Sequence, residues 1–213
     1  MKDSFLNNSQ LLIIMKILAA GDIHGDVSNL ENLMNKAKEE DVDAIILCGD
    51  ITYANALPNE LIKQLTSSEI DVFIIPGNHE DVLTFELLKN LGLKHLHGDS
   101  TIINNVAFFG CGFSNIGLSQ LTEDEIFSTL KNSHNQVSHI EKKIMVTHVH
   151  PSGSKMESFS NFIKGSEGVT KAIKELKPHL LLCSHVHEAE GVEELMHDTT
   201  IINVGRTGKI ITF

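Results

Sequence analysis

Five short, strongly apolar runs punctuate the chain, and each stops at residues able to bind a metal ion. ILAA (17–20) is followed by Asp22 and His24, and AIILC (44–48) by Asp50. VFIIP (72–76) leads to Asn78 and His79, KIMVT (143–147) to His148 and His150, and HLLLC (179–183) to His185 and His187. A strand buried on one face alternates apolar with polar residues, whereas a continuous apolar run is buried on both faces, as in a parallel strand covered by helices. Amphipathic segments at 28–40, 58–68 (opened by Pro58) and 81–91 separate the first runs, so this half reads as alternating strand and helix with parallel pairing. From 93 to 113 the rhythm changes to short strands, with Asn104-Asn105 suited to a hairpin turn. A polar helix follows over 122–140, where Thr122 and Glu125 have capping-box spacing. A helix near 166–176 and two closing strands, TIINVG (200–205) and KIITF (209–213), complete an α/β pattern.

The carboxyl ends of parallel strands share one edge, and that edge is where such sheets bind ligands. Taken singly, each polar group has a plainer explanation: a Gly-Asp after a strand is commonly a turn, and one histidine among twelve is commonly surface or core. Recurrence after five strands removes that explanation, because independent turns have no reason to choose only metal-compatible side chains. His95 and His97 also form an HxH but without a buried run before it, so they read as structural, as do His134, His139, His179 and His197. Asp, His and Asn donors without cysteine suit divalent manganese, iron or zinc, and they are too many for one ion and about right for two.

Composition narrows the function further. The 213 residues suffice for one domain, and no linker divides them. A formal net charge of -11 argues against a nucleic-acid binder, which would carry a basic stripe for phosphates. Arg206 is the one arginine among seventeen basic residues and is the side chain suited to bidentate phosphate contact; Asn115 in GFSN is a second substrate-contact candidate. Cys48, Cys111 and Cys183 are widely spaced with no CxxC, which fits a reduced cytoplasm, and Cys48 and Cys183 read as small apolar packers inside strands. LLIIMKILAA (11–20) is broken by Lys16 and falls short of the roughly twenty residues a membrane span needs. Met15 stands directly before the first clear strand, so residues 1–14 read as an N-terminal extension and 15–213 as the domain.

GDIHG (21–25), GD (49–50), GNHE (77–80), TH (147–148) and HVH (185–187) together resemble the ordered motifs of the calcineurin-like metallophosphoesterase superfamily, over nearly the whole chain. The resemblance implies a four-layer α/β/β/α sandwich with two mixed sheets. It implies that Asp22, His24 and His187 bind one divalent metal ion, that Asn78, His148 and His185 bind a second, and that Asp50 bridges them. His148 is preferred to His150 because it directly follows its strand. His79 is implied to lie beside the metals and protonate the leaving oxygen or steady the phosphoryl group.

Departures from the family's patterns bear on substrate. GDITYAN lacks the Asp-Arg-Gly of Ser/Thr phosphoprotein phosphatases, and Pro76 stands where those enzymes have an arginine, so a phosphoprotein substrate is not expected. Ser184 replaces a common glycine, and His79 brings the chain nearer to members that cleave diesters. The expectation is a cytoplasmic dinuclear phosphoesterase that attacks a small phosphodiester, in preference to a monoester, with a metal-bound hydroxide, without membrane, nucleic-acid or phosphoprotein partners. The alternative is a metal-binding scaffold of the same fold with little or no turnover.

Overall fold

The computed structural model describes residues 14–213; positions 1–13, and with them most of the expected N-terminal extension, lie outside the described residues. Two sheets face each other. The first contains β1 (Lys16–Ala20), β2 (Ala44–Cys48), β3 (Val72–Ile75), β4 (Lys94–His95) and the returning C-terminal β11 (Lys209–Thr212), in the order β11-β1-β2-β3-β4. Strands β1 to β4 are parallel, and β11 runs antiparallel to β1. The second sheet is built from β5 (Ser100–Ile103), β6 (Val106–Cys111), β7 (Lys143–Thr147), β8 (Leu180–Cys183), β9 (Glu193–Met196) and β10 (Thr199–Asn203), in the order β5-β6-β7-β8-β10-β9. Its parallel centre, β6-β7-β8-β10, is flanked by antiparallel β5 and β9.

The continuous apolar runs are explained by three stacked cores. Ile17 and Ala19, Ile46 and Cys48, and Phe73 and Ile75 point between the sheets, where they meet Phe108, Ile144, Val146, Leu180 and Leu182. The intervening Leu18, Ile45, Leu47, Val72 and Ile74 face α1 (Val27–Glu39), α2 (Asn59–Thr66) and α3 (Val82–Asn90). On the far side, Phe109, Met145, Leu181 and Cys183 face α4 (Glu123–Gln136) and α5 (Glu167–Leu176). Both faces of the central strands are therefore dry, and the layers are helix, sheet, sheet, helix, as the resemblance implied. Cys48 and Cys183 are buried and unpaired, as packers should be.

Helix starts follow local side-chain chemistry. Asp26, Asp81, Thr122 and Ser166 each accept a hydrogen bond from a backbone N–H in the first turn, and Thr122 with Glu125 completes the expected capping box. Sequence reading placed the end of this helix at 140, but α4 stops at Gln136, and Val137 and Ile140 reach the same core from the turn that follows. Strand β9 was not foreseen, because this half-exposed edge strand lacks the continuous apolar run of the central ones. Among the described residues no helix is long and apolar enough to cross a membrane.

Candidate metal centre

The carboxyl ends of β1, β2 and β3 from one sheet, and of β7 and β8 from the other, open onto the same place. Backbone hydrogen bonds lock the loops after β1 and β2 together, with the amides of Asp22, His24 and Gly25 donating to the carbonyls of Gly49, Asp50 and Ile51 at 3.1, 2.8 and 2.8 Å. The second sheet adds Ser184, whose amide donates to His148 O at 3.0 Å. Asp22, His24, Asp50 and His185 adopt left-handed backbone angles, with φ of 54°, 51°, 51° and 77°. Such conformations in non-glycine residues cost of order 1–3 kcal/mol and persist where surrounding structure imposes them, typically at functional sites. Glycine is required beside them: Gly49 has φ of 92°, and a Cβ there would lie 2.5 Å from His148 Nδ1. A Cβ on Gly77 would collide with Asp50 Oδ1.

Three sets of donor atoms converge, each within 4.8 Å of one another: Asp22 with His24 and His187, His24 with Asp50 and His79, and Asp50 with His148 and His185. His24 Nε2 and His187 Nε2 approach to 3.2 Å, and His187 Nε2 is 3.8 Å from Asp22 Oδ1. Around Asp50, its Oδ2 lies 3.4 Å from His148 Nε2, 3.8 Å from His24 Nε2 and 4.0 Å from His79 Nε2. Asn78 Oδ1 is 2.8 Å from His148 Nε2, which places this amide oxygen at the same point. His150 is fully buried and belongs to none of the three sets found among the described residues.

Outer contacts orient the donors. The His148 Nδ1–H donates to Cys48 O at 2.8 Å, which leaves Nε2 to face Asp50. The Ser184 hydroxyl donates to the same carbonyl at 2.7 Å and stands 3.1 Å from the His148 ring, so the serine that departs from the family pattern supports a donor. The His185 amide donates to Asp22 Oδ2 at 3.1 Å, and the His79 amide to Asp50 Oδ1 at 2.9 Å.

Glu80 was not singled out by the sequence. Its fully buried carboxylate accepts from Thr52 N and Oγ1 at 2.6 and 2.8 Å and from Gly77 N at 2.6 Å, clamping the loop after β2 to the loop after β3. Tyr53 was also missed. Its ring stacks on His79 at 5.1 Å with 22° between planes, although the residue is 60% exposed.

The electrostatics fit cation binding. Burial opposes charge on both His148 and Asp50, but their mutual attraction wins: His148 is raised to about 9 and Asp50 is held well below the usual carboxylate range. Burial lowers His24 to about 4 and His185 well below its ordinary value, so both rings are neutral at pH 7. His185 Nε2 is buried with no hydrogen-bond partner. Buried orphaned polar atoms are costly, and a cation at this position satisfies the nitrogen together with the crowded carboxylates.

The side chains of Arg206 and Asn115 are bonded to residues other than these donors. Arg206 forms an ion pair with Asp26 at 2.9 Å, and its carbonyl accepts from Asn29 Nδ2 at 3.1 Å. The Asn115 amide donates to Glu123 Oε1 at 3.1 Å and to Lys164 O at 3.5 Å. Neither lines the cavity beside Asp50. His97 has a structural partner, its Nδ1 accepting from Gly112 N at 3.0 Å.

The model of a family described as calcineurin-like phosphoesterase matches residues 15–189. No curated protein matches the sequence. Among solved structures, the Thermus thermophilus protein TT1561 superposes with a TM-score of 0.74 at 18% identity, covering 94% of this chain and 98% of that one. A dimetal phosphatase from Danio rerio gives 0.60 at 11% identity, with 90% and 87% covered. An archaeal protein described as a novel phosphodiesterase gives 0.53 at 18% identity, with 93% and 100% covered. These likenesses establish a shared fold.

Proposed function

Because the chain belongs to the calcineurin-like phosphoesterase family, whose members use divalent metal ions, we propose that it is a dinuclear hydrolase of small phosphodiesters. The observation that carries this reading is the sharing of Asp50 between donor sets contributed by both sheets. Asp22, His24 and His187 would hold one cation, Asn78, His148 and His185 the other, and the Asp50 carboxylate would bridge them, its charge offsetting their repulsion. When bound, such a pair supplies Lewis acidity for the phosphoryl oxygens and lowers the pKa of water.

The remaining work falls to side chains of the chain itself. His79 is tied by its backbone to Asp50 and holds its ring at the open edge of the cluster, where Nε2 can pass a proton to the leaving oxygen. Tyr53 stacks on that ring and restricts its orientation. Preference for a diester rests on charge. Among the described residues lining the adjacent cavity none is lysine or arginine, and Glu188 is present. A diester brings one negative charge, whereas a phosphate monoester brings about 1.5 to 2 near neutrality, and the second charge would meet a carboxylate.

The test is hydrolysis of bis-p-nitrophenyl phosphate against p-nitrophenyl phosphate after chelation and manganese add-back. Turnover that returns with metal, favours the diester and disappears in Asp50→Asn supports the proposal. With both metals bound and neither ester cleaved, a scaffold role becomes the better reading.

A further inference from the structure

The cavity beside the candidate metal donors, about 230 Å³ in volume, is lined by two chemically different sets of side chains. Asp50, Asn78, His79, His185, His187 and Glu188 are polar or charged, whereas Ile116 and Ile163 are apolar. A phosphoryl group has nothing to gain from contact with isoleucine. Ile163 is partly buried against the α4–α5 core, but Ile116 is 39% exposed and lies in none of the three cores, so packing does not account for Ile116 at the cavity.

The two side chains come from loops far apart in sequence, and specific bonds hold these loops beside the site. Leu118 N donates to Asn78 O at 3.1 Å, fixing the loop of Ile116 to a metal-donor residue. Asn115 Nδ2 reaches Lys164 O at 3.5 Å, joining that loop to the one carrying Ile163. The Ser160 hydroxyl accepts from Ile163 N at 3.1 Å and so shapes the second loop. The arrangement presents an apolar surface to whatever is attached to the phosphorus.

Resting on the phosphodiesterase reading, we propose that Ile116 and Ile163 form a subsite for the alcohol that stays on phosphorus, and that the substrates are phosphodiesters whose retained alcohol is apolar or aromatic. Glu188, at the same cavity, disfavours anionic extensions such as a further phosphate. A differential of one or two apolar groups in such a pocket is worth about 10- to 200-fold in kcat/KM.

The experiment compares methyl p-nitrophenyl phosphate with phenyl p-nitrophenyl phosphate, which share leaving group and charge and differ only in the retained alcohol. The wild-type protein loaded with manganese should favour the phenyl ester about tenfold in kcat/KM. In Ile116→Ser/Ile163→Ser the preference should fall to about twofold, with metal content as the control for folding. Should the double variant lose metal, Ile116→Ser alone, at a half-exposed position, should lower the preference to about threefold. Equal use of the two esters by wild type, or an unchanged preference in a folded variant, overturns the subsite while leaving the phosphodiesterase reading intact. Failure to cleave either ester with both metals bound overturns that reading, and the subsite with it.

Discussion

At the scale of single residues, His148 and Asp50 carry opposite consequences for the metal-free and metal-loaded protein. His148 is raised to about 9 by Asp50 in spite of its burial, so in the metal-free protein the ring is charged at pH 7. A histidine whose folded pKa is raised stabilises the fold fully below its ordinary value near 6.5, and the contribution disappears as pH rises through about 9. Chelated protein should therefore lose melting temperature between about pH 6.5 and 9. Cation binding needs the neutral ring and must expel that proton, so apparent metal affinity should rise over the same interval and then flatten. Thermal melts and metal titrations across this range check both slopes, and parallel slopes would contradict the pairing. His79 has a different signature: His79→Ala should retain metal yet slow turnover about 10²- to 10⁴-fold, most for esters with poor leaving groups. Metal loss measured by elemental analysis would instead make His79 a ligand.

At the scale of elements, the site depends on loops being clamped to one another, and Glu80 is the clamp between the loops after β2 and β3. Its two carboxylate oxygens accept from Thr52 on one side and Gly77 on the other. A glutamine of the same shape must turn its NH₂ toward one of those donors. Glu80→Gln is thus expected to cost about 1–3 kcal/mol in urea unfolding and to weaken metal binding, because Asp50 and Asn78 sit on the clamped loops. Thr122→Ala should cost about 1 kcal/mol through loss of the α4 cap, with metal binding unaffected since α4 supplies no donor. Together the two variants separate stability of the frame from geometry of the centre.

At the scale of the whole molecule, the two sheets must stay in register for donors from β1, β2 and β3 to meet those from β7 and β8. Phe108 is fully buried in the core between the sheets. Phe108→Ala should lower unfolding free energy by about 3–5 kcal/mol, and metal release on heating should track the lowered melting temperature. The strands, most helices and the position of the candidate donors at strand ends were legible in the sequence because burial on both faces writes an unbroken apolar run, and each run ends where a candidate donor begins. The capping box was legible because it is local. Glu80, Ser184 and Tyr53 were not, since their roles depend on partners from other loops: Thr52 for Glu80, Cys48 and His148 for Ser184, and His79 for Tyr53. Nor was the fate of Arg206 and Asn115, whose side chains are engaged with Asp26 and with Glu123 and Lys164. The sequence by itself determined the strand order of donors and their chemistry, because hydrophobic periodicity and side-chain type are properties of short segments. It took the folded chain to bring those candidate donors from two sheets to one carboxylate, to set left-handed angles there, and to place two isoleucines in the same cavity. These are contacts between segments distant in sequence, created when the cores close.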